Sequence, residues 1–332
     1  MLKYFHFNTG TAMKEAVLLL NMGGPSNLDE VELFLRNMFA DENILPMHPK
    51  LRAFVGKRIV ASRLEEAKEN YRALGGKSPL LEITQSLAKK LETLLHMPVY
   101  PVMRYVPPFA KEVLMRCKEQ GIEKLTLFPM YPHYSTTTVK SSVDDIEATC
   151  EAIDYKPSIE TIAPYFDRLG YIKLCAQRIT EALEGASSER YDLLLSAHGL
   201  PVKIVQAGDP YEKQIEGNVA ALKLYFEMQG VRFHDIKLVY QSRVGKGKWL
   251  EPNLADVLRH PTHRRVVIYP LSFTIDNSET MFELDVEHRE IAEKIGYEDY
   301  RVARCFNDDD AHAEMIAALI LERSGEDGRA NL

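Results

Sequence analysis

Cysteine is scarce in this 332-residue chain, and the four present, Cys117, Cys150, Cys175 and Cys305, stand far apart. None has the paired spacing of a zinc or iron–sulfur ligand set, so reduced, mostly buried thiols of a cytoplasmic protein are expected. Positive charge is not in surplus either: 41 Lys and Arg against 48 Asp and Glu leave a net charge of -7. That sets nucleic acid aside as the main partner, because a phosphate backbone needs a basic footprint. No apolar run approaches the roughly eighteen residues that cross a bilayer. The N-terminus lacks the apolar core of a secretion signal, and residues before Met13 read as a dispensable extension or an upstream start. Nucleotide signatures are missing as well. Gly23-Gly24-Pro25 is not the three-glycine dinucleotide fingerprint, and there is no Walker loop. Val244-Gly245-Lys246-Gly247-Lys248 is basic and glycine-rich, which by itself describes a flexible loop.

What the chain does have is alternation. Apolar runs at 16–21, 99–104, 124–129, 158–163, 192–196, 237–241, 265–270 and 300–304 are separated by helical patterns, among them 139–152, 166–183, 211–229, 279–295 and 309–322. Such alternation predicts βαβ units and parallel sheets. The design reads as used twice. Val17 through Pro25 answers to Leu193 through Pro201, each a strand running into glycine and proline, and Leu125–Pro129 answers to Val266–Pro270. The expected fold is therefore α/β, with two similar Rossmann-like domains, each a four-stranded parallel sheet flanked by helices, around a cleft. Boundaries are set at 14–160, 161–308 and a terminal segment 309–332. The first half carries extra residues around 38–74, with Met38, Phe39, Leu51, Phe54 and Val55 among Lys50, Arg52, Lys57, Arg58 and Arg63. This insertion either covers the first core, forms an apolar lip for a large flat ligand, or touches a membrane.

Two stretches carry chemistry. The run Leu193-Leu194-Leu195-Ser196-Ala197-His198-Gly199-Leu200-Pro201 reads as a buried strand that delivers His198 to the crevice beyond the sheet, where open α/β folds bind ligands. The second, residues 273–287, places Glu279, Glu283 and Glu287 four apart on one helical face. Carboxylates at that spacing repel one another. They are either a solvated face with Asp276 capping the helix, or a file that leads a cation to Glu279. An imidazole with a carboxylate suits a divalent transition ion with open positions, and histidine titrates near neutrality.

With these residues in place the chain resembles the ferrochelatase family over nearly its whole length. The resemblance rests on Leu20-Asn21-Met22-Gly23-Gly24-Pro25, on Tyr71 with Gly75-Gly76-Lys77-Ser78-Pro79, on Arg104-Tyr105 and on Tyr131-Pro132-His133-Tyr134-Ser135. It continues through Ser196–Pro201, Gly208-Asp209-Pro210-Tyr211, Tyr240–Gly245, Trp249-Leu250-Glu251-Pro252 and Asp276–Asp285. It implies insertion of ferrous iron into protoporphyrin IX, with two Rossmann-like halves around the porphyrin and the last helix packed back on the first domain. Coproporphyrin as substrate, a non-catalytic haem or porphyrin carrier, and a cobalt or nickel chelatase are the alternatives. By motif position it implies His198 and Glu279 as the catalytic and metal-binding pair, with Glu283 and Asp276 as supporting acids. Met22, Arg63, Tyr71, Ser78, Arg104, Tyr105, Ser242 and Trp249 fall where the family lines the macrocycle or holds its propionates. His198 is expected as proton acceptor or metal ligand, and Glu279 as the ligand facing it across a tetrapyrrole slot or as the proton route.

Three positions depart from the family pattern. Asn277 stands where a histidine is frequent, Gly199 where serine is frequent (a small effect is expected), and Thr136 near a cluster cysteine of iron–sulfur members. No cysteine follows Cys305, so no iron–sulfur cluster and no cofactor beyond the substrate iron are expected. A monomer, with peripheral membrane contact through the lip, completes the expectation.

Overall fold

A computed structural model of the chain describes residues 13–243 and 247–329. The extension expected before Met13 and the tip of the 244–248 loop lie outside the described residues. Eight strands form: β1 (Glu15–Asn21), β2 (Val99–Met103), β3 (Lys124–Pro129), β4 (Ser158–Thr161), β5 (Asp192–His198), β6 (Asp235–Gln241), β7 (Arg265–Pro270) and β8 (Asp299–Val302). The helices are α1 (Glu30–Ala40), α2 (Pro49–Ala73), α3 (Leu80–Leu95), α4 (Ala110–Glu119), α5 (Ser141–Ala152) and α6 (Leu169–Ala182), followed by α7 (Val202–Gln206), α8 (Tyr211–Met228), α9 (Leu254–Arg259), α10 (His288–Ile295) and α11 (Asp310–Arg329).

The strands make two all-parallel sheets in the orders β2-β1-β3-β4 and β6-β5-β7-β8. These are the same order with four added to each number. In each, the chain winds outward in opposite directions from β1 or β5, which opens a crevice at the carboxyl ends of those strands. The apolar run of β1 is almost wholly buried, as a strand covered on both faces must be. The halves share one core, in which Leu19, Leu87 and Phe128 of the first half join Leu193 and Tyr269 of the second and Ile316 of α11. Truncating a ring such as Phe128 to alanine in such a core costs about 3–5 kcal/mol. α11 packs on α3 of the first half and also on α6 of the second, so it bridges both.

The insertion is helical. α1 and α2 pack together around Val31, Leu35, Phe39, Val60 and Tyr71, while Leu51 and Phe54 point outward. At the end of β1, Gly23 adopts φ +87°, and a β-carbon there would lie 2.5 Å from Val106. Only glycine makes that turn without displacing the strand end.

The helix expected over 279–295 differs in kind. Its first part, Glu279–Glu287, is a π-helix that passes into α10, and Thr136–Lys140 is a shorter π-helix ahead of α5. They follow β7 and β3, the matching strands of the two halves, so the wide turn belongs to the repeated design. Such π-turns concentrate at functional sites.

Candidate active site

The site grows from the carboxyl end of β5. Ser272 Oγ accepts from the His198 amide at 3.1 Å and lies 2.6 Å from the Tyr211 hydroxyl, which donates to the His198 carbonyl at 3.0 Å. The backbone that carries the imidazole is therefore held on both sides. Next to it Gly199 donates its amide to the Gln241 carbonyl at 2.8 Å, and a β-carbon on Gly199 would sit 2.5 Å from that same oxygen. The small effect expected of glycine at this position is thus corrected. A serine here would push β5 from β6 at the point where His198 is mounted, because the obstacle is backbone rather than a yielding side chain.

His198 Nδ1 and Glu279 Oε2 are 2.7 Å apart. Their side chains remain 39% and 31% exposed, so the pair is open to the cleft. Burial alone would push the imidazole toward neutrality. The Glu279 carboxylate outweighs that, with help from Glu283, and holds the His198 pKa above its ordinary value. Burial also disfavours the Glu279 charge, yet His198 and Ser242 hold that carboxyl below its usual range. Each group of the pair thus favours the charged form of the other.

Behind it sits a polar support. Ser242 has a left-handed φ of +63°, donates its amide to Glu283 Oε1 at 2.6 Å and its hydroxyl to Glu283 Oε2, and lies 3.4 Å from Glu279 Oε2. A non-glycine residue in that conformation costs on the order of 1 kcal/mol and persists only where its surroundings impose it. Buried Gln241 spans the same acids, donating to Glu283 Oε2 at 3.2 Å while accepting from Ser196 Oγ at 2.8 Å. Farther along the π-helix, burial, and then the charges of Glu283, Glu66 and Glu290, raise the Glu287 pKa.

Several sequence expectations are redrawn. His198 and Glu279 touch on one wall instead of facing each other across a slot, so no ring fits between them. Asp276 does not face the cleft. Its oxygens are taken by Thr280 Oγ1 and the Cys305 amide on one side and Asn307 Nδ2 on the other, tying the loop after β7 to the segment before α11. Arg104 is not a free propionate clamp: it pairs with Asp41 at 3.2 Å and Asp145 at 3.4 Å and donates to Ser141. Tyr105 is fully buried and donates to Asp41 at 2.9 Å, so its ring is core of the first half rather than porphyrin wall. Ser78 is buried beneath Gly24 and accepts from the Leu80 amide, and Tyr71 is buried against α1 with its hydroxyl 3.2 Å from Ser278 Oγ. Asn277 spends its side chain on its own turn, accepting from the Glu279 amide at 2.8 Å.

The remaining positions, Met22, Arg63 and Trp249, are partly exposed. Met22, at the end of β1, is half-buried, as is Trp249, whose ring packs over Gly199. Arg63 on α2 is half-buried, without an ion-pair partner among the described residues. Tyr131 donates to Asn21 at 3.3 Å, and burial, then Tyr105 and Glu279, push its hydroxyl pKa well up. A cavity of about 350 Å³ lined by Tyr131, Tyr134, Lys140 and Asp144 opens beside it. Sequence reasoning quoted Tyr131 and Tyr211 within motifs but assigned them no role. Tyr211 follows Gly208-Asp209-Pro210, and Asp209 accepts from Ser135 and Thr136, so that motif joins the halves behind the histidine.

The family model and the relatives similar in sequence agree on one family. The family model described as Ferrochelatase matches residues 14–324. A protein named Ferrochelatase from Wolinella succinogenes is 46% identical over 93% of this chain and 98% of its own length. One from Sulfurimonas denitrificans is 43% identical over 92% and 98%, and one from Helicobacter pylori 40% over 94% and 94%. Among solved structures, SirB from Bacillus subtilis with Fe3+ superposes with a TM-score of 0.55 at 12% identity, covering 94% of this chain and 98% of that one. CbiX, the terminal enzyme for biosynthesis of sirohaem in denitrifying bacteria, superposes with 0.52 at 13% identity over 93% and 98%. These last two show the shared fold of two parallel sheets.

Proposed function

The chain belongs to the ferrochelatase family, and from that premise we propose that the His198–Glu279 couple is where ferrous iron enters a porphyrin and where its protons leave. The reaction joins Fe²⁺ to a free-base porphyrin and releases two pyrrole protons. One observation carries the assignment: the 2.7 Å contact of an imidazole and a carboxylate at the mouth of the second sheet, with further acids leading to it. Iron and protons compete for the same lone pairs, so entry of the cation and loss of a proton are coupled. The planar ring resists a metal at its centre. Binding it puckered between Met22, Trp249 and the lip would draw on remote binding energy to lower that barrier. Arg63 is the free cation suited to a propionate.

We take protoporphyrin IX as the porphyrin. A spectroscopic assay with ferrous and zinc ions and either protoporphyrin or coproporphyrin tests this. Metalloporphyrin bands should form, faster with protoporphyrin. A Soret shift without metal insertion would mark a carrier, and preferred turnover of coproporphyrin would reassign the substrate.

Among the described residues no helix is long and apolar enough to cross a membrane. We read the outer face of α2 as a peripheral lipid contact. It presents exposed Leu51 and Phe54, with the Arg58 guanidinium 5.8 Å from the Phe54 ring. Aromatic and basic groups on one helical face suit an anionic lipid surface. Flotation with anionic vesicles should carry the protein, and Phe54→Glu should release it; no flotation refutes the contact. We also propose a monomeric cytoplasmic enzyme without an iron–sulfur cluster. The four cysteines are buried and unbridged, and Thr136 is engaged by Asp209.

A further inference from the structure

The second sheet has two ends, and only one belongs to the catalytic cleft. At the other, β5, β6 and β7 begin side by side, with Asp192 opposite Asp235 and Val266. Asp192 is the first residue of β5, His234 precedes β6 and His263 lies just before β7. The three side chains therefore arrive at one spot from three neighbouring strands. We propose that Asp192, His234 and His263 form a second metal site, for a borderline divalent transition ion such as zinc or cobalt, about 20 Å along β5 from His198 at the usual strand rise.

The geometry supports this on four counts. The Asp192 carboxylate is nearly buried, and its Oδ1 lies 2.7 Å from His234 Nδ1 and 4.0 Å from His263 Nδ1. The two imidazoles stack with centroids 4.4 Å apart, and one ligand atom from each of the three residues lies within 4.8 Å of the others. A tetrahedral ion with bonds of about 2.0–2.1 Å needs its ligands roughly 3.3 Å apart, between the 2.7 Å and 4.0 Å at which the two imidazoles now stand from Asp192 Oδ1. A cavity of about 360 Å³, lined by Asp192 and His263 together with His260 and Asp256, opens beside the cluster and leaves room for water in the remaining coordination positions.

The charge balance leans the same way. Asp192 and Asp235 share one ammonium, Lys237, which contacts Asp192 Oδ2 at 3.4 Å and is drawn away by Asp235 at 3.2 Å, while Asp256 is paired with Arg259 at 3.0 Å. Oδ1, on the histidine side, is left for the ion. His263 Nδ1 is 3.2 Å from the Arg265 carbonyl, so ligation through that nitrogen would displace the proton it shares there. Two imidazoles and a carboxylate favour such ions over calcium or magnesium, which prefer oxygen ligands. The site fastens three strand starts together and touches no group of the catalytic couple.

Equilibrium dialysis of the full-length protein against Co²⁺, read together with the visible absorption of bound cobalt, tests the site. The double variant His234→Ala/His263→Ala should lose one bound equivalent and the associated band while ferrous insertion is unchanged. The nearly isosteric Asp192→Asn should weaken that equivalent at least tenfold and guards against a folding defect in the double variant. Unchanged stoichiometry and spectrum in either variant overturns the proposal, as does a wild-type protein whose only bound equivalent is lost with His198→Ala.

Discussion

His198→Ala is expected to lower kcat for ferrous insertion by about 10²–10⁴-fold, the usual worth of a positioned acid–base group, while porphyrin still binds. His198 is held by Ser272 and Tyr211 through its backbone, so those bonds survive removal of the imidazole and the cleft keeps its shape. What disappears is the acceptor nearest to Glu279. The carboxylate is then left without its main partner, and burial, less opposed, raises its pKa and disfavours its charge. The variant thus loses the imidazole and weakens the attraction for the cation. Porphyrin fluorescence titration together with a steady-state insertion assay separates the two effects. Turnover within threefold of the wild type removes His198 from the mechanism. A loss confined to porphyrin affinity assigns it to binding alone.

Much of the scaffold could be read from the chain because its signals are local. Each strand is a short apolar run bounded by turn residues, and the repeat of strand, glycine and proline at Asn21–Pro25 and His198–Pro201 announced two matching sheets. His198 was legible for the same reason, since a strand end fixes where a side chain emerges. The porphyrin-lining positions were less so, because exposure is settled by partners remote in sequence. Tyr105 is claimed by Asp41, 64 residues earlier, and Tyr71 by Ser278, 207 residues later. Arg104 likewise finds Asp41 and Asp145 through the fold of the insertion. Asp276 was drawn toward the metal by its neighbours in the acidic stretch, yet Asn307 and Cys305 claim it. The π-turn at Glu279 leaves no periodic mark that separates it from an α-helix. It nonetheless decides the outcome, since it brings Glu279 onto the wall of His198 and Glu283 beneath Ser242.

Glu279→Gln should lower the plateau of turnover by about 10²-fold or more and move the acid limb of the kcat/KM–pH profile to lower pH. The direction follows from the competition at His198. Burial lowers its pKa, and only the Glu279 charge, assisted by Glu283, lifts it above 6.5. To accept a pyrrole proton the imidazole must be neutral, so wild-type kcat/KM should fall as pH drops through a value above 6.5. With glutamine in place the lifting charge is gone and burial is less opposed. The limb then falls at lower pH, even as the lost carboxylate depresses the rate everywhere. Stability supplies an independent readout with its own sign. The raised His198 pKa gives stabilisation that is complete below 6.5 and vanishes as pH rises through the folded value. The lowered Glu279 pKa gives stabilisation that is complete above 4.5 and vanishes as pH falls through its folded value. The deficit in Tm of Glu279→Gln against wild type should therefore be greatest between those two pH values and shrink on either side. An acid limb that stays in place or moves upward would show that the carboxylate does not hold the proton on His198, and the imidazole would then lose its part as base even if both residues proved essential.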